Sequence, residues 1–252
     1  MLTKLLQSIS ATAAILLTTA ISSASPLLSE SGLQISLEFP PAPERQGAQS
    51  SAGGGTRSGE GSIVGAESRS AAAICSQGDT PLTALIPEET EAQKTISPRP
   101  QLFLYVPQTS AEMIEFQLFD QEGNDVYIDT VKLSKTPGIL QISLPEDVAL
   151  EVGQTYNWNV FVSCDSEDPT AVESIQGEIE RVAVSEDLKT QIEATSEPLK
   201  QAELYAQQRI WQDTLMLMVS LKESNPAAWE QLLTSVGLEA IATVPIVPMT
   251  EN

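Results

Sequence analysis

From residue 101 onward, apolar and polar positions alternate with a period of two. Leu102, Leu104 and Val106 share one face of QLFLYV; Ile114, Phe116 and Leu118 share one face of MIEFQLF, with Glu115 and Gln117 opposite. Successive side chains of a strand point to opposite faces, so these runs predict half-buried strands. The EGN at Glu122 to Asn124 predicts a hairpin turn into VYIDTVKL, and the TPG at Thr136 to Gly138 predicts a turn into ILQISL, where Leu140, Ile142 and Leu144 share a face. In QTYNWNVFVSC, Trp158, Val160, Val162 and Cys164 point to one side, which sets the cysteine at the end of an apolar row. A weaker run, VESIQGEIERV, carries Gly177 in mid-strand and predicts a bulge there. After Val184 the period becomes helical. Ser196-Glu197-Pro198 and Asn225-Pro226 are helix starts, and Trp229, Leu232, Leu233 and Val236 then fall on one helical face, with Gly237 as a stop.

Six or seven short strands with turn signals about every ten residues, followed by helices, give an all-β plus α fold class. The expected architecture is an antiparallel immunoglobulin-like β-sandwich followed by a C-terminal helical hairpin. The likeness stays at the level of architecture, because Cys75 precedes the first clear strand and Trp158 lies only six residues before Cys164. The hairpin KQAELYAQQRIWQDTLMLMVSLKESNP compares with a tetratricopeptide unit: Ala202, Tyr205, Trp211, Thr214, Met218, Leu221 and Pro226 match its spacings, while Arg209 stands where glycine is common. A single unit cannot bury its own apolar face. It is therefore expected to pack on the sandwich, on the Trp229 helix or on another protein. The stripe Trp211, Leu215 and Met218 is first a packing face and second a partner groove.

The N-terminus changes the setting. Lys4 precedes a loosely apolar run from Leu5 to Ile21, and Ser22-Ser23-Ala24 offers small residues for cleavage. Residues 1–24 are expected to be a signal peptide, and no later run is long and apolar enough for a membrane span. The expected location is periplasmic or extracellular. Residues 25–72 are rich in Gly, Ser and Pro and are read as a disordered tether, 73–184 as the sandwich, 185–247 as the helical hairpin region and 248–252 as a tail.

With 34 acidic against 13 basic residues, the net charge is −21, and phosphate backbones would repel the chain at long range, so no nucleic acid is expected as a partner. Histidine is absent, which removes Ser-His and Cys-His nucleophile pairs. Cys75 and Cys164 are the two cysteines; in an oxidising compartment they are expected to form a disulfide closing a loop of 89 residues. Beyond Cys164, the acids Asp165, Glu167 and Asp168 could hold Ca²⁺, but they lack the EF-hand spacing, so a solvated loop is the reading taken and no metal is assigned. Glu88-Glu89 and Glu146-Asp147 are available as carboxylate pairs for a glycosidase. Phe103, Tyr105, Tyr156 and Phe161 are read opposite the core faces, either as a ligand platform or, preferably, under a second layer.

As a set, the cysteine before PLTALIPE, FLYVP, the TPGI turn, LEVGQTYNWNVFVSCD, LYAQQRIWQDTL and WEQLLTSVGLEAI resembles the cyanobacterial domain-of-unknown-function 928 family over about Cys75 to Val247. The resemblance implies a cyanobacterial source and export, with a weak implication of extracytoplasmic sensor proteins as neighbours. It supplies no activity, cofactor or catalytic residue. The function expected is a non-enzymatic binding module of the cell envelope with a protein partner; the alternatives are an envelope polysaccharide hydrolase using paired carboxylates and a structural envelope protein.

Overall fold

Each predicted run becomes a strand with its apolar face turned inward. The computed structural model of the chain describes residues 37–41, 76–87, 92–133, 136–164 and 172–247. The expected signal peptide, most of the expected tether, Cys75, Glu88-Glu89, the acidic residues 165–168 and the tail lie outside them.

The main strands are β4 (Gln101–Val106), β6 (Met113–Phe119), β7 (Asp125–Lys132), β8 (Gly138–Ser143), β9 (Thr155–Ser163) and β10 (Val172–Arg181). Shorter strands complete the sheets: β1 (Ser76–Gln77), β2 (Thr83–Ala84), β3 (Gln93–Thr95), β5 (Gln108–Thr109) and β11 (Ile246–Val247). One sheet has the order β3-β10-β9-β6-β7, a second β11-β8-β4-β2, and β1 pairs with β5. Pairing is antiparallel except for β3 with β10 and β11 with β8. The β6–β7 turn closes where expected: Asn124 N–H donates to Asp120 Oδ1 at 2.8 Å, and Gly123 takes φ +85°. Those bonds from Asn124 lower the Asp120 pKa below its ordinary value.

Four helices follow: α1 (Glu186–Ala194), α2 (Pro198–Gln207), α3 (Trp211–Leu221) and α4 (Pro226–Thr234). Pro198 and Pro226 occupy first-turn positions as expected, but Glu197 rather than Ser196 is the N-cap of α2, without a side-chain bond. The observed fold is thus mixed α and β, with mostly antiparallel sheets and four helices toward the C-terminus. Inward rows from both sheets, including Leu104, Ile142, Phe116 and Trp158, share one hydrophobic core with Trp211 and Trp229.

Two sequence expectations change. Gly177 makes no bulge: β10 pairs with β9 in unbroken register, and Gly177 lies opposite Trp158. A Cβ there would come within 2.7 Å of Trp158 Cε2 and closer still to Cζ2, so the glycine makes room for the indole. Tyr156 has the parity of Trp158, not the opposite one, and is buried with it. Its hydroxyl accepts a hydrogen bond from Glu151 N at 2.9 Å, which fixes the chain entering β9. Phe103 and Tyr105 are also buried, with α3 against β4, as cover by a second layer requires; Phe161 is half-buried.

Candidate functional site

Trp211, Leu215 and Met218 all lie on α3 and are completely buried, so this stripe is packed core and not an open groove. The physical reason is partly a five-residue piece of the expected tether. Leu37 and Phe39 are 1% and 4% exposed, inside the same core as the helices. Phe39 meets Trp211 edge-to-face, with ring centroids 4.9 Å apart. Such a pair contributes about 0.5–1.5 kcal/mol beyond its area. The Trp211 indole N–H donates to Leu85 O at 2.7 Å, tying the start of α3 to the loop after β2.

Polar contacts hold the rest of this segment. Phe39 N–H donates to Ser235 Oγ at 3.0 Å, just beyond α4. In the α2–α3 turn, Arg209 places its guanidinium 5.8 Å from the Phe39 ring centre and donates through Nη1 to Pro40 O at 2.9 Å and to Pro41 O. Arg209 also has φ +58°, a left-handed conformation that costs a residue with a Cβ about 1–2 kcal/mol. The glycine common at this place in the helical pattern would avoid that cost. It could not make the contacts to residues 39–41.

A buried polar seam joins α3 to the sheet edge. Thr95 Oγ1 and Ile96 N both donate to Asp213 Oδ2, at 2.8 and 3.0 Å. Burial pushes the Asp213 pKa above its ordinary value, and these two bonds oppose the rise. Beside them Gln212 Nε2 donates to Gln93 Oε1, while Gln93 Nε2 and Gln212 Oε1 are buried without a protein partner. Asp213 Oδ2 thus takes up the backbone N–H just past the end of β3, a structural use of the carboxylate.

The opposite edge differs. Among the described residues, β7 has β6 on one side and no strand on the other. Toward solvent, the outer face of this sheet presents Met113 and Ile128, 51% and 48% exposed, among Glu115, Gln117, Asn157 and Asn159. On the inner side of β7, the Tyr127 hydroxyl donates to Asp129 Oδ2 at 2.9 Å; burial first, then this carboxylate, pushes its pKa up to about 12.

Of the remaining candidates, Cys164 follows β9 directly and there is no free cysteine among the described residues, while Cys75 is outside them. Its neighbour Ser76 donates to the Glu173 carboxylate from both N (2.9 Å) and Oγ (2.5 Å), and Glu173 lies opposite Val162. Glu146 and Asp147 are exposed in the stretch after β8. Among the described residues, no group of three His, Cys, Asp or Glu could hold a metal ion, and no helix is long and apolar enough to cross a membrane.

A model of the Domain of Unknown Function 928 family (DUF928) matches residues 52–246. The chain belongs to this family. The match covers all the main strands and the four helices, and it begins after the packed segment 37–41. No curated protein and no solved structure matches the chain.

Proposed function

We propose that this DUF928 protein is a non-enzymatic, exported binding module of the cell envelope, which takes an extended protein segment along the β7 edge of the five-stranded sheet. The carrying observation is that β7, eight residues long, has an edge with no strand partner among the described residues, next to an exposed face holding Met113 and Ile128, whereas α3 packs against β3 at the opposite edge. An open edge supplies main-chain hydrogen bonds to an incoming strand, and the adjacent face supplies side-chain selection. Export rests on the N-terminal pattern from Lys4 to Ala24.

The scaffold in this reading is immunoglobulin-like. Support comes from β3 running parallel to β10 beside the antiparallel β10-β9-β6-β7, and from the Tyr156 hydroxyl bonded to Glu151 N at the entry to β9, the arrangement of a tyrosine corner. The α2–α3 pair is read as one tetratricopeptide-like unit whose apolar stripe is satisfied within the chain. A Cys75–Cys164 disulfide belongs to the same proposal, supported by the anchoring of Ser76 on Glu173 near the end of β9.

The test is a pull-down from envelope extract with tagged mature protein, run beside a Met113→Glu/Ile128→Glu variant. The proposal expects a specific protein retained by the former and lost with the latter. Turnover of an envelope glycan by the same preparation, with no protein retained, would favour the hydrolase instead.

A further inference from the structure

We propose that the site formed by the α2–α3 turn, the start of α3 and the end of α4 is a peptide-recognition site for an extended aliphatic-x-aromatic-Pro-Pro segment of a partner protein, occupied in cis by Leu37–Pro41. The inference is independent of the β7 edge. Its first ground is the manner of contact. Residues 37–41 adopt neither helix nor strand and are held as a ligand is held: Leu37 and Phe39 are buried, Phe39 stands edge-on to Trp211, its N–H is taken by Ser235, and Arg209 binds two successive proline carbonyls. The Glu38 side chain faces α4, where Gln231 Nε2 lies 3.5 Å from its Oε1.

The second ground is Arg209. A left-handed arginine carries backbone strain, and both its guanidinium bonds and its position over Phe39 are directed at the segment. A residue kept in that conformation serves the occupied site. Prolines favour the extended backbone that such a site reads and have little conformational freedom to lose on binding. The third ground is sequence distance: the hydrogen bonds that tie residues 38–41 to the fold run to residues 168 to 196 positions further along the chain, so the segment is held by tertiary contacts. On the same chain the segment acts at an effective concentration on the order of millimolar, and a free peptide at micromolar concentration cannot displace it.

The test uses the full mature chain with a protease site inserted at Gly53–Gly55, which leaves residues 37–41 and every contact residue unchanged. The probe is a fluorescent synthetic peptide, ISLEFPPAP, with a control in which the Leu and Phe are replaced by Ser. Before cleavage, anisotropy should show no saturable uptake at micromolar peptide. After cleavage and dilution, the N-terminal fragment should dissociate and the probe should bind saturably, with the control silent. Arg209→Ala in the cleaved protein should weaken binding by about tenfold or more, as expected for losing a charged donor. A second variant, Leu37→Ala/Phe39→Ala without cleavage, should take up the probe and regain thermal stability with it. The proposal is overturned if the cleaved, folded protein binds no probe up to about millimolar, or if it binds the control equally well.

Discussion

Replacing Gly177 with alanine tests the packing of β10 against the Trp158 indole of β9. Alanine alone would favour the strand, since glycine is disfavoured in an element interior by about 0.5–1 kcal/mol. The new methyl, however, would lie 2.7 Å from Trp158 Cε2, 3.1 Å from Nε1 and closer still to Cζ2, where carbon–carbon contacts prefer about 3.5–4.0 Å. The indole must retreat by close to an ångström, yet Trp158 is 1% exposed and bounded by the β6 and β10 rows. Overpacking of this kind costs about 1–3 kcal/mol, so it exceeds the propensity gain. For a domain of this size, each kcal/mol lowers Tm by about 2–4 °C. Gly177→Ala should therefore melt several degrees below wild type by calorimetry, with a lower urea midpoint and unchanged slope. Trp158→Phe in the same background should recover part of the loss, and a double-mutant cycle should give coupling of about 1 kcal/mol or more. A Gly177→Ala protein as stable as wild type would refute the close-packing explanation of this glycine.

The other predictions concern the polar contacts. Asp213→Ala leaves the Thr95 hydroxyl and Ile96 N–H without their acceptor and should cost about 1–3 kcal/mol in urea unfolding, whereas Asp213→Asn keeps an oxygen for both and should cost much less. Because burial raises the Asp213 pKa in the fold, the folded state binds its proton more readily than the unfolded one. Wild type should accordingly gain stability relative to Asp213→Asn as pH falls through the raised pKa, and lose that gain as pH rises; a Tm difference constant from pH 3 to 7 would contradict this. Tyr156→Phe removes the acceptor for Glu151 N and should lower stability by about 1–3 kcal/mol, measured by the same urea titration. Non-reducing peptide mapping should find Cys75 linked to Cys164, and reduction should lower Tm, because closing a loop of 89 residues is worth up to about 4–5 kcal/mol. Two free thiols in protein isolated from its native host would rule the disulfide out.

The long strands were legible because a half-buried strand writes its period directly into the sequence, as MIEFQLF and TYNWNVFV do. Strands β1, β2, β5 and β11 have two residues each and β3 has three, too few for any period. Their positions depend on partners far along the chain, such as Gln93 beside Ile179. Gly177 was visible as an anomaly, but its cause was a cross-strand indole that local pattern cannot locate. The apolar stripe of α3 is visible in the sequence, but its cover is not, because LEFPP has no periodicity and sits in a stretch whose composition predicts no core. Arg209 in place of glycine was the one local signal there. Asp213, the one charged residue of α3, could have announced a buried partner, although not that Thr95 and the Ile96 N–H would be it. The β7 edge was not visible at all, since edges are a property of strand order.

An extended protein partner added to β7 would protect the backbone N–H groups of that strand. The decisive measurement is amide hydrogen exchange on the protein with and without a partner recovered by the pull-down. Binding should slow exchange in Asp125–Lys132, and Met113→Glu/Ile128→Glu should abolish this protection without lowering protection in β9. Protection that leaves Asp125–Lys132 unchanged and appears elsewhere would contradict strand addition to β7.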